Sequence, residues 1–80
     1  MNMLSRRRRG RPRRVACLWR FRRGDRHAVA FLYEGNDLQF RLETTDGPTR
    51  TRRFADPAAL FRHARTERAR LQAGYWFEVP

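Results

Sequence analysis

The sequence predicts an α+β domain: a four-stranded antiparallel sheet in meander order with one C-terminal helix packed on one face, order ββββα, preceded by a disordered basic arm. Three observations carry this. Between Val15 and Phe54 apolar and polar residues alternate with a period of two, interrupted at Gly24-Asp25, Gly35-Asn36 and Asp46-Gly47. From Asp56 onward the apolar spacing becomes helical. Ahead of Val15, seven arginines occupy the nine positions from Arg6 to Arg14 with no acid among them, and such a segment has nothing to bury. The division is therefore an arm over 1–14 and a domain over 15–80.

The first strand is expected over Val15 to Arg22, with Val15, Cys17, Trp19 and Phe21 on one face and Ala16, Leu18, Arg20 and Arg22 on the other. Ala28 to Glu34 is the second, and its bulky residues are Val29, Phe31 and Tyr33. A loop of three residues, Gly24 to Arg26, would set Trp19 opposite Phe31, Phe21 opposite Val29 and Cys17 opposite Tyr33, collecting the aromatics on one face; a two-residue loop would scatter them. A tight turn at Gly35-Asn36 then pairs Tyr33 with Leu38, Phe31 with Phe40 and Val29 with Leu42. Leu38 to Thr44 is the third strand. Asp46-Gly47 leads into a polar edge strand from Pro48 to Phe54, with Thr49 and Thr51 inward, Arg50 and Arg52 outward, and Phe54 out of phase.

Asp56-Pro57 starts the helix, an acidic N-cap followed by proline at the first helical position, and Gly74 stops it after Ala73. Leu60, Phe61, Ala64, Arg68, Leu71 and Tyr75 share one side at helical spacing, and Arg62, Arg65, Thr66, Ala69 and Arg70 the other. The strip from Tyr75 to Val79 is aromatic enough to fold back on the core.

The formal charge of +11 is uneven: residues 15–80 hold 12 Arg against 8 Asp and Glu, so most of the excess lies in the arm. All 19 cations are arginine, whose planar fork suits phosphate and stacks on bases; a GC-rich coding sequence would produce the same bias throughout. The single Cys17 rules out an internal disulfide or thiolate cluster. No apolar run has the length of a membrane span or export signal, so a soluble, cytoplasmic protein without a membrane partner is expected, nucleoid-associated if bacterial.

Within the arm, Arg9-Gly10-Arg11-Pro12 is flanked by Arg6, Arg7 and Arg8 on one side and Arg13 and Arg14 on the other. The string resembles the AT-hook, a short DNA-binding motif. That resemblance implies minor-groove binding at A·T-rich DNA through Arg9, Gly10, Arg11 and Pro12. A glycine without a side chain and a proline that keeps its neighbour extended let backbone lie in a groove too narrow for a helix. Narrow A·T tracts concentrate negative potential, which would hold the arginines. An unspecific polyanion arm and a solvated or targeting tail use the same residues.

The second candidate surface is the sheet face away from the helix, which in these registers carries Arg20, Arg22, Arg41, Arg50 and Arg52, with Gln39 and Glu43 among them and Leu18 and Leu32 beside. Glu43 would pair with Arg50, whereas Arg41 opposite Arg52 invites a bridging anion. The strand order and basic sheet resemble the family of single-stranded-DNA-binding proteins that includes the Whirly proteins and positive cofactor four, which dimerise and use a basic sheet. With Trp19, Phe31, Tyr33 and Phe40 assigned to the core, phosphate contact rather than base stacking is the expected mode.

His27 at a turn and His63 near Glu67 lack a ligand set or a nucleophile, and Cys17 alternates into the core as packing. No paired carboxylates, phosphate loop or nucleophile elbow is visible. The expectation is a non-enzymatic nucleic-acid-binding accessory protein, DNA ahead of RNA, with no cofactor, metal or small-molecule substrate and with scope for a homodimer. The alternative is a protein-interaction module, adaptor or inhibitor, that recognises an acidic partner.

Overall fold

A computed structural model describes residues 11–80. Arg6, Arg7, Arg8, Arg9 and Gly10 of the arginine segment lie outside the described residues. Among those described, the chain forms β1 (Arg13–Arg23), β2 (Arg26–Glu34), β3 (Leu38–Thr44), β4 (Arg50–Phe54), α1 (Pro57–Ala73) and β5 (Phe77–Glu78). All strand pairs are antiparallel, in the order β4-β3-β2-β1-β5, and α1 crosses one face. The ββββα succession follows the sequence, and β5 extends it. β1 starts at Arg13, so Arg13 and Arg14 belong to the sheet rather than to an arm.

Two turns differ from expectation, in opposite senses. Arg23 pairs with Arg26, which leaves Gly24-Asp25 as a two-residue turn with Gly24 at φ 63, the positive value a hairpin with glycine at its first central position needs. Glu34 pairs with Leu38, so Gly35, Asn36 and Asp37 form the next loop instead of Gly35-Asn36 alone. Each change shifts register by one residue, and together they turn over β2 alone. Trp19 lies opposite Ala30 and Phe21 opposite Ala28, while Phe40 and Leu42 remain inside as expected.

Volume explains the inversion. Trp19 on β1 and Phe40 on β3 flank β2, yet their ring centroids are only 6.1 Å apart, and Phe21 stands 5.3 Å from Trp19. The rings meet over β2 because Ala28 and Ala30, both fully buried, occupy that row. Phe31 and Val29 in their place would overfill it. Leu18 and Leu32, expected on the outer face, pack against the core instead. Cys17, expected inside, is exposed opposite Phe31.

The connection from Thr45 to Thr49 is longer than a two-residue turn, so Leu42 pairs with Arg50, Arg41 with Thr51, Phe40 with Arg52 and Leu38 with Phe54. Phe54 is therefore in phase and packs against the core. Arg50 and Arg52 lie on the helix side, the reverse of the expected arrangement. Neither a Glu43–Arg50 pairing nor an Arg41–Arg52 opposition exists in this register.

Asp56 caps α1 by accepting from the Ala58 N–H at 3.1 Å, with Pro57 following. The buried stripe is Leu60, Ala64 and Glu67, with Leu71 partly buried. Phe61, Arg68 and Tyr75, expected on the packed side, are exposed. The helix is rotated so that Glu67 meets the arginines of β4. At the C-terminus the Trp76 N–H donates to Leu71 O at 3.0 Å and the Tyr75 N–H to Gln72 O at 3.2 Å, the bond pair of a Schellman motif. The left-handed residue is Tyr75, φ 66, one position after Gly74. Trp76 then packs on the core, and Phe77-Glu78 pairs with β1 at Arg22 and Phe21.

Two stability measurements check this account by chemical denaturation. Tyr75→Gly relieves a left-handed side-chain conformation at a residue that is 75% exposed, and is expected to stabilise by about 0.5–1 kcal/mol. Ala30→Phe is expected to cost about 2–3 kcal/mol by overpacking while Val29→Phe stays within about 1 kcal/mol; equal costs would contradict the orientation of β2.

Candidate nucleic-acid interface

The face of the sheet away from α1 is assembled by the register of β2 and by two irregularities in β1. Register shifts fall between Arg14 and Ala16 and between Cys17 and Trp19, each inserting one residue that β2 does not match. The bulges bring Arg14 opposite Tyr33 and Cys17 opposite Phe31, while Arg20 faces Val29 and Arg22 faces His27. From β3, Gln39 and Arg41 continue the Tyr33 and Phe31 rows, and Arg53 and Thr51 close them on β4.

Guanidinium groups lie on the aromatic rings at the centre of this face. Arg14 Cζ is 3.8 Å from the Phe31 centroid and Arg41 Cζ is 3.8 Å from the Tyr33 centroid, while the two rings meet edge to face at 6.4 Å. Hydrogen bonds orient both cations. Arg14 Nε and Nη2 each donate to Tyr33 Oη at 3.3 Å, and Arg41 Nη2 donates to Oε1 of the buried Gln39 at 3.1 Å. Arg41 Nε is buried and has no hydrogen-bond partner. A groove of about 740 Å³ adjoins on the β1 side, lined by Arg14, Cys17, Arg20, Val29 and Phe31 among others.

The rest of the face is basic. Arg22 Nε donates to Gly24 O at 2.8 Å and Arg20 Nη2 to Pro80 O at 3.2 Å. Arg53 lies 3.9 Å from Asp37, and Glu43 sits opposite Val29. Of the residues expected here, Arg20, Arg22 and Arg41 are brought together with Gln39 and Glu43, and Arg14 joins them from the segment read as an arm. Arg50 and Arg52 are elsewhere. Phe31, Tyr33 and Arg53 were missed by the sequence reading; Gly24-Asp25 also suits a two-residue hairpin turn, and that alternative sets the two rings on the open face.

Pro12 lies at the edge of this face, against the β2–β3 loop. A Cβ added to Gly35 would stand 3.2 Å from Pro12 Cα, so glycine is what lets the backbones approach. Arg11 and Pro12 are both exposed, leading from the arginine segment into β1.

On the other side of the sheet, Arg50 and Arg52 meet α1. His63 stacks edge to face on Phe40 at 4.8 Å and tilts against Phe54 at 5.4 Å. Burial holds its pKa below the usual 6.5; the charges of Arg52, Arg50 and Arg70 add to this, and Glu67 opposes it. Among the described residues no group of three or more His, Cys, Asp or Glu is placed to hold a metal ion, and no helix is long and apolar enough to cross a membrane. Comparison with protein-family models, with curated proteins and with solved structures finds no match.

His63 makes stability pH-dependent in a defined direction. Its folded pKa is lowered, so the unfolded chain binds the proton more readily; the contribution is complete above about pH 6.5 and is lost as pH falls through the folded value. His63→Phe, which keeps a ring between Phe40 and Phe54, is expected to flatten the fall in Tm between pH 7.5 and pH 5 relative to wild type.

Proposed function

We propose that this is a non-enzymatic nucleic-acid-binding protein whose open sheet face takes unpaired nucleotides, assisted by the arginine segment from Arg6 to Arg14. The observation that supports this reading is the pair of guanidinium-on-ring stacks, Arg14 on Phe31 and Arg41 on Tyr33. Each presents a planar, cationic surface, and apart from the buried Arg41 Nε the N–H groups not bonded to Tyr33 or Gln39 can meet phosphate. Bases stack on guanidinium planes and aromatic rings alike, and only unpaired bases offer their faces. The rings and flanking arginines on one antiparallel face supply both parts of single-strand recognition, stacking and backbone neutralisation.

The arginine segment leads into this face at Pro12 and Arg13. Its Arg9-Gly10-Arg11-Pro12 string is suited to the minor groove of an adjoining duplex, which makes a junction between paired and unpaired nucleic acid a natural ligand. The affinity is electrostatic in large part, so it falls steeply with added salt.

Anisotropy titrations with a thymidine strand, an abasic strand of equal length and an A·T duplex test the reading. The base-bearing strand is expected to bind at least about tenfold more tightly than the abasic strand. Phe31→Leu with Tyr33→Leu should remove that difference and leave abasic binding unchanged. Arg9→Ala with Arg11→Ala should weaken duplex binding. Equal affinity for base-bearing and abasic strands would refute stacking. Absence of binding to any of the three, with protein partners retained after nuclease treatment, would favour recognition of an acidic protein.

A further inference from the structure

β4 is an edge strand, and two of its arginines, Arg50 and Arg52, stand exposed on its helix side. There α1 contributes Glu67 and Arg70, and a cleft of about 260 Å³ lies between them, with Phe40 and Leu42 in its wall. The Glu67 side chain is only 8% exposed. Its oxygens are 3.9 Å from Arg50 Nη2 and 3.7 Å from Arg70 Nη2, and Arg52 lines the same cleft with no carboxylate partner among the described residues. Neither distance is a hydrogen bond, so the carboxylate attracts the guanidiniums without occupying their donors.

One carboxylate against three guanidiniums leaves two positive charges around a concave cleft; Glu67 is buried, while the Arg50 and Arg70 side chains are 63% and 67% exposed and can turn toward a ligand. His63 stands on the wall of the cleft with its pKa lowered, first by burial; the charges of Arg52, Arg50 and Arg70 add to this and Glu67 opposes it. We infer that the cleft is a binding site for a phosphate monoester dianion, independent of the nucleic-acid reading of the opposite face. A phosphate monoester carries a charge of about −1.5 to −2 near neutrality and three acceptor oxygens, which match the residual charge and the three forked donors. A phosphodiester or a carboxylate brings one charge and leaves the other uncompensated. The ligand reaches the cleft as free phosphate, as a nucleoside monophosphate or as the phosphorylated end of a strand.

Calorimetric titration of the full-length protein at constant ionic strength, with chloride as the matched anion, tests this. Inorganic phosphate is expected to bind saturably, one per chain. Arg52→Gln should weaken it by about three- to tenfold, Glu67→Gln should tighten it severalfold by removing the competing charge, and Arg65→Gln, an exposed helix position outside the cleft, should leave it unchanged. Arg52 is at the surface, so its variant retains the test if Glu67→Gln does not fold. Tighter binding of a 5′-phosphorylated than a 5′-hydroxyl strand would support the site with a strand end as ligand. Saturable phosphate and nucleoside-monophosphate binding without a strand-end effect would support it with a small molecule. No saturable heat above chloride, or equal loss in Arg65→Gln, overturns the proposal.

Discussion

The contact between Trp19 and Phe40 across β2 is the constraint on which the remaining architecture depends. Two large rings from the flanking strands meet only if the strand between them offers small residues, and Ala28 and Ala30 supply that row. Side chains alternate across a strand, so placing the alanines inside sends Val29, Phe31 and Tyr33 to the opposite face. The core is thus made of large residues on β1 and β3 with small ones between, and the ring pair on the open face is its direct consequence.

Charge is distributed by the same geometry. With Phe31 and Tyr33 outside, Arg14 and Arg41 have rings to lie on, and the bulges of β1 bring Arg14 into line. On β4, the register that sends Phe54 to the core also sets Arg50 and Arg52 on the helix side of the sheet, and α1 sets Glu67 near Arg50. Arg14 and Arg41 are thus held on uncharged rings, whereas Arg50 and Arg70 stand 3.9 and 3.7 Å from the Glu67 carboxylate. Exposed ion pairs contribute little to stability, so these guanidiniums add little energy to the fold.

The sheet edges are protected by comparable means. β4 presents arginines, and β1 is bulged over its first half and covered by β5 at Phe21 and Arg22. Bulges and edge charges discourage strand addition. This leaves the open face and the β4–α1 cleft as the surfaces with organised chemistry, one built from rings and cations and the other from cations around a buried acid.

The sequence by itself determined the types and order of β1 to β4 and α1, though not the short β5. Period-two alternation, the Gly24-Asp25 and Gly35-Asn36 turn sites, the Asp56-Pro57 cap and the arginine density are local signals, and the strands and helix lie close to where those signals put them. It also assigned Trp19, Phe21, Phe40, Leu42, Leu60 and Ala64 to the interior, and Arg20, Arg22 and Arg41 to the open face. What only the tertiary structure decided was parity. Whether Gly24-Asp25 or Gly24 to Arg26 makes the turn changes every side chain of β2, and both choices look acceptable within one hairpin. The choice is made by volumes contributed from strands on either side and by the helix above them. For that reason Phe31 and Tyr33 read as core in the sequence and stand on the open face in the fold, while Arg50 and Arg52 read as outer-face cations and stand on the helix side.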